Sequence, residues 1–136
     1  MKKVFFRINF FAVLAACYGF NFQALAQNEA DTYLRKVANK CLHSYFQIPG
    51  WESCIACESF VLDKDGTASQ IKILKHPLNF RTKKDAPAAD TALVLAVKNA
   101  SPFDKPPDMI RTPVKLTLTI DGTANGKPLQ ARVDIN

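Results

Sequence analysis

A chain of 136 residues, 48% apolar and 22% charged, is sized for one modest core rather than for several domains. Its formal charge of +6 overstates its basicity, since without Lys2, Lys3 and Arg7 of the opening segment 15 basic residues face 12 acidic ones, a net +3. That mild balance speaks against nucleic acid as a partner, because Arg81-Thr82-Lys83-Lys84, the densest basic run, reads as a solvated loop rather than a phosphate clamp.

Residues 1–26 have the three-part build of a secretory leader: a basic start, an apolar stretch from Ile8 to Ala16, and Ala24-Leu25-Ala26 at the end. The apolar stretch is too short to span a bilayer. Cleavage after Ala26 is expected, with Gly19 and Asn21 as the helix-breaking stretch before it. That leaves a single periplasmic domain, residues 27–136. Two alternatives stay open: a retained N-terminal anchor, and lipidation at Cys17, because Leu14-Ala15-Ala16-Cys17 is similar to a lipobox. A membrane partner is expected only in the lipidated case.

The first element of the domain is an amphipathic helix. From Thr32 onward Tyr33, Leu34, Val37, Ala38, Cys41, Leu42 and Tyr45 fall on one face, with Asn28 or Asp31 as cap, and Pro49-Gly50 ends the pattern. Residues 54–62 read as a strand and Asp63-Lys64-Asp65-Gly66 as a tight turn in which Gly66 takes a positive φ. Ser69 to Leu74 completes the hairpin, and His76-Pro77 breaks it before a polar loop over 79–85.

Asp85 and Pro87 mark a second helix start, with Leu93, Ala96, Val97 and Ala100 as its buried stripe and Ser101-Pro102 as its stop. Phe103, beside Pro102 and Pro106-Pro107, is expected to close this helix onto the sheet. The clearest strand follows: Val114, Leu116, Leu118 and Ile120 alternate with Lys115, Thr117 and Thr119. A last alternating run, Leu129 to Ile135, returns after Asn125-Gly126 as a C-terminal hairpin arm. The expected fold class is α+β in two layers: an antiparallel sheet of three to four strands with two helices on one face, in the order helix-strand-strand-helix-strand plus the C-terminal strand.

Cys41, Cys54 and Cys57 remain after either processing route, and an oxidising compartment favours pairing two of them. Phe60 and Leu62 should face the core. Stepping back by twos brings Ala56 and Cys54 to the same side, and Cys41 lies on the buried stripe of the first helix. Cys41 with Cys54 is therefore the preferred disulfide and Cys41 with Cys57 the alternative. A loop of that size stabilises by roughly 3 kcal/mol on the chain-entropy model. The odd thiol leaves room for a dimer linked through Cys57.

Cys54-Ile55-Ala56-Cys57 has the spacing of a redox CxxC, but it leads into a strand, where positions three apart point to opposite faces. Cys41, His43, Cys54 and Cys57 could supply four zinc ligands, yet their spacing is uncommon, so neither metal nor cofactor is expected. His43 and His76 stand in no nucleophile motif, and the chain is not expected to be an enzyme.

Three ordered segments carry a resemblance: Thr32-Tyr33-Leu34-Arg35-Lys36-Val37, Val61-Leu62-Asp63-Lys64-Asp65-Gly66-Thr67, and residues 92–107, which contain the run AVKNASPFDKPP. Together they resemble the C-terminal domain of the TonB and TolA envelope proteins, nearer TolA in the last segment, over roughly residues 31–121. The resemblance implies a domain that docks an extended segment of another envelope or secreted protein by strand addition. It places the partner-binding edge on Val114, Lys115, Leu116, Thr117, Leu118, Thr119 and Ile120. Two departures qualify this. The membrane helix and long spacer of TonB and TolA are missing from this sequence, which speaks against energy transduction, and a paired tail strand would occupy the docking edge and move capture to the tail or to Ser69–Leu74. Two other functions stay open: a thiol or metal protein built on the cysteines, and a small secreted effector or inhibitor sharing the fold.

Overall fold

The computed structural model describes residues 10–45, 55–76, 86–122 and 128–136. In chain order these form α1 (Phe10–Ser44), β1 (Ile55–Leu62), β2 (Ala68–Lys75), α2 (Ala86–Ala100), β3 (Val114–Asp121) and β4 (Gln130–Ile135). The strands make one antiparallel sheet in the order β2-β1-β3-β4. α1 lies against β4, α2 against β2 and β1, and the helices touch each other on one side of the sheet. This is the α+β architecture expected from the pattern.

The core sits between the layers because the strand period of two and the helix period of 3.6 point the same residues inward. Ala56, Phe60 and Leu62 of β1 meet Leu116, Leu118 and Ile120 of β3 and Val133 of β4. Above them lie Tyr33, Val37 and Cys41 of α1 and Leu93, Val97 and Ala100 of α2. Each large apolar side chain buried here contributes about 1.5–3 kcal/mol.

The segment after α2 acts as a strap. Phe103 is buried and stacks on Phe60 with ring centroids 6.0 Å apart. Tyr33 donates its hydroxyl to the Asp104 carbonyl at 2.8 Å, and Lys40 reaches the Pro102 carbonyl at 2.6 Å while its ammonium lies 5.7 Å from the centre of the Phe103 ring. The hairpin turn is tied to the same strap, since Phe103 N–H donates to Gly66 O at 2.8 Å and Ala68 N–H to Ser101 Oγ at 3.0 Å. Gly66 has φ +85°, as the turn requires.

Two expectations are corrected. α1 does not begin near Thr32: its backbone is helical from Phe10, through Gly19, Asn21 and Ala26. Ala24-Leu25-Ala26-Gln27 are good helix formers, so nothing local stops the turn. Asn28 is accordingly no cap, and its carbonyl accepts the Thr32 hydroxyl at 2.7 Å within the helix. Among the described residues no helix is long and apolar enough to cross a membrane.

The second correction concerns the expected docking edge. Val114 to Ile120 is paired on both sides, with β1 from Leu62 back to Ala56 and, from Leu116 onward, with β4 from Ile135 back to Ala131. The tail strand fills the flank that the resemblance left open, because its own alternation presents Val133 to the same core. Pro49-Gly50, Cys54, Arg81-Thr82-Lys83-Lys84, Asp85 and Asn125-Gly126 lie outside the described residues, and the backbone helix includes Cys17.

Candidate partner-binding edge

With β1 and β3 interior, the sheet has two rims, β2 and β4. They differ in kind. β2 loses register with β1 twice, between Cys57 and Glu58 and between Ser59 and Val61, and Gln70 sits at φ +50° where β-branched and most other residues are disfavoured. Each irregularity twists the strand and spoils the row of outward backbone groups. Lys72 and Lys75 add exposed charge along the same strand. Those are the devices by which a rim is made unfit for pairing.

β4 has no such defect: its register with β3 is continuous from Gln130 to Ile135. The phase of its hydrogen bonds follows from Asn136 N–H, which donates to Lys115 O at 3.0 Å. Residues 115 and 136 are thus a hydrogen-bonded pair, and the alternation of an antiparallel ladder makes 117/134, 119/132 and 121/130 the others. The backbone N–H and C=O groups of Ala131, Val133 and Ile135 therefore point away from β3, along the outer rim.

A groove of about 340 Å³ runs between this rim and α1. Leu34, Arg35 and Ala38, with Asp31 one turn before, form its helical wall, a stripe at the helix period. The strand wall carries Val133, buried among core side chains, and Ile135, which is about half exposed. On the opposite face of β4, Arg132 Nε and Asp134 Oδ2 pair at 2.8 Å and remain largely in water. Unpaired backbone beside apolar side chains of alternate spacing is the chemistry of strand addition. A larger cleft of about 510 Å³ lies between the end of α1 and α2, lined among the described residues by small and apolar groups such as Ala88, Ala92 and Leu95.

The cysteine-based expectations fare differently. Cys41 and Cys57 are both free thiols, and the alternation of β1 sets them apart. Cys41 is in the core, whereas Cys57 lies on the outer sheet face with its Sγ 3.8 Å from Thr119 Oγ1. Cys41 is therefore joined neither to Cys57, the alternative, nor to Cys54, the preferred partner, whose own position lies outside the described residues. His43 Nδ1 donates to the Asn39 carbonyl at 2.7 Å on the exposed helix surface, and His76 pairs with Asp90 at 2.7 Å, tying β2 to α2. The structure does not bring Cys41, His43 and Cys57 together, and no metal-holding cluster occurs among the described residues.

One group was missed by sequence reasoning. Glu58 lies on the inner face of β1 between Ala56 and Phe60, fully buried, and neither carboxylate oxygen has a hydrogen-bond partner. The step by twos that places Ala56 and Phe60 inside passes through it, so the signal was present in the alternation. Burial pushes its carboxyl up from 4.5 to about 8. Burial also pushes the Cys41 thiol up to about 12, and the neighbouring Glu58 charge adds to that rise against a smaller opposing effect of Lys40. Tyr33 rises to about 12 for the same first reason, with the Asp104 charge second.

A thiol held protonated and out of water is inert. Native alkylation with iodoacetamide is therefore expected to label Cys57 and to spare Cys41 until the protein is unfolded, as read by peptide mass. Equal labelling rates for the two would contradict the burial of Cys41.

No family model, curated protein or solved structure matches this chain.

Proposed function

We propose that the chain is an exported protein-binding module of the cell envelope that holds an extended segment of another protein along the β4 rim. The observation that carries this is the contrast between the rims: β4 presents the backbone groups of Ala131, Val133 and Ile135 in unbroken register beside a groove, while β2 is irregular and lysine-bearing. The leader-like start of the sequence, Lys2 to Ala26, supports export. The three ordered segments similar to TonB and TolA domains support a binding role rather than catalysis, with capture moved from β3 to the tail strand.

Proline at residue 131 tests the edge directly. Its ring replaces an N–H that points away from β3, so the internal ladder is kept while the rim is blocked. In the native host, the periplasmic fraction is expected to yield protein beginning at Gln27. A partner cross-linked to wild type should be lost at least tenfold in Ala131→Pro and retained in Leu74→Lys, which alters only the β2 rim. Equal recovery with both variants would remove β4 as the docking edge.

A further inference from the structure

The sequence of the open rim is its own complement. Taking Val133 as a centre, β4 reads Gln130-Ala131-Arg132-Val133-Asp134-Ile135-Asn136, with a cation one step before the centre and an anion one step after it. An antiparallel copy laid along this rim about a two-fold axis through Val133 sets Arg132 opposite Asp134 of the second copy, and Asp134 opposite the second copy's Arg132. Resting on the same open edge as the proposed capture, we infer that two copies of this chain pair through β4, forming a homodimer that an extended partner segment must displace.

Three independent features of the rim agree with this axis. The first is hydrogen-bond phase. Ala131, Val133 and Ile135 carry the outward N–H and C=O groups, as fixed by the Asn136–Lys115 bond and the β3–β4 register. In the two-fold arrangement Val133 meets Val133, and Ala131 meets Ile135, so each outward residue meets another outward residue and both bonds of each pair form. Axes through Arg132 or Asp134 keep this phase but set like charges opposite each other, Arg132 to Arg132 or Asp134 to Asp134, and an axis between two residues would set outward groups against inward ones.

The second is charge. Arg132 and Asp134 occupy the pairs that lack hydrogen bonds, where opposed Cα atoms approach to about 4.5 Å and side chains interact most. Within one chain they already form an exposed bridge, with Nε to Oδ2 at 2.8 Å. Across the axis the two bridges merge into a four-charge cluster of alternating sign.

The third is the helical layer. Directly opposed residues of an antiparallel sheet share a face, so the α1 helices of both copies lie on one side of the joined sheet and approach across the axis. Their facing walls carry Leu34 and Ala38 together with Asp31 and Arg35, again one charge of each sign a turn apart. The two grooves thereby become one channel, apolar at Leu34, Ala38 and Val133 and lined elsewhere by charges of both signs. The interface is isologous, as two-fold symmetry requires.

Analytical ultracentrifugation of the full chain and of three variants tests this. Wild type is expected to show a concentration-dependent dimer that persists in reductant. Arg132→Asp puts like charges in both cross-axis pairs, as does Asp134→Arg, and each is expected to weaken the dimer by about tenfold or more while leaving the circular dichroism spectrum unchanged. An equimolar mixture of the two variants restores both attractive pairs and should form a heterodimer within about threefold of wild-type affinity. Ala131→Pro should be monomeric. A wild type that is monomeric throughout, a dimer that dissolves in reductant, or a dimer indifferent to both charge reversals would overturn the inference. The first of these leaves partner capture standing if Ala131→Pro still abolishes it, so the two readings fail separately.

Discussion

Replacing Glu58 with methionine is expected to make the domain markedly more stable above neutral pH and to flatten its pH dependence. Both oxygens of this carboxyl are buried without a partner, and its folded pKa of about 8 stands above the ordinary 4.5. Between those values the folded state keeps a proton that the unfolded chain has released, so stability is fully present below about pH 4.5 and is lost as pH rises towards 8. At 1.36 kcal/mol per pKa unit the loss is on the order of 4–5 kcal/mol. Chemical denaturation of wild type from pH 4.5 to 8.5 should show that decline. Glu58→Gln should abolish the slope while retaining the penalty of an unbonded polar group, about 1–3 kcal/mol. Glu58→Met should remove both, because a thioether of similar length fills the same space without an ionisable group. A wild-type stability that is level across this range would show that the carboxylate is solvated in the folded protein.

The largest loss is expected at the hairpin turn. A Cβ on Gly66 would stand 2.2 Å from the Phe103 carbonyl oxygen and 3.0 Å from that of Asp104, both backbone atoms that cannot swing aside. The residue also needs φ +85°, which a side chain opposes. Gly66→Ala must therefore push the turn off the strap, stretching the 2.8 Å bond from Phe103 N–H to Gly66 O and disturbing the Phe60–Phe103 stack behind it. A cost of about 3 kcal/mol or more follows from the strained backbone and the lost contacts together. Calorimetry should place its midpoint at least roughly 10 °C below wild type. Lys64→Ala in the same turn, whose side chain is in water, serves as control and should shift it by no more than a degree or two. If Gly66→Ala melted with that control, the close approach of turn and strap would be wrong.

The sequence patterns that were legible are those in which each residue reports its own environment. Leu116, Leu118 and Ile120 announce a half-buried strand, Leu93, Ala96, Val97 and Ala100 a helix stripe, and Asp65-Gly66 a reversal; all stand where expected. Alternation says which face is buried but not which strand lies alongside, so the pattern left open whether Leu129–Ile135 would pair with β3 and occupy the edge that the resemblance assigned to docking, as it does in the fold. The irregularities of β2 left no mark either: a glutamine at φ +50° carries none of the turn chemistry that a glycine there would have signalled. Glu58 was hidden differently. A glutamate's charge argues for water, whereas in the fold Ala56, Phe60 and Leu62 fix the strand's orientation and carry the acid inward with them. The helical continuity of α1 through Ala26 reflects the absence of any local stop, since nothing between Gln23 and Asn28 is glycine or proline.

The unequal rims of the sheet also bear on what this molecule avoids. A protein with two regular edges could add copies at both ends and grow into a fibre. Here a polypeptide laid on β4 exhausts the only unbroken template among the described strands, and the kinked, lysine-bearing strand at the far end offers nothing for the next. In a pair joined through β4 both outer rims are the irregular β2, so such a pair ends at two strands unfit for further pairing.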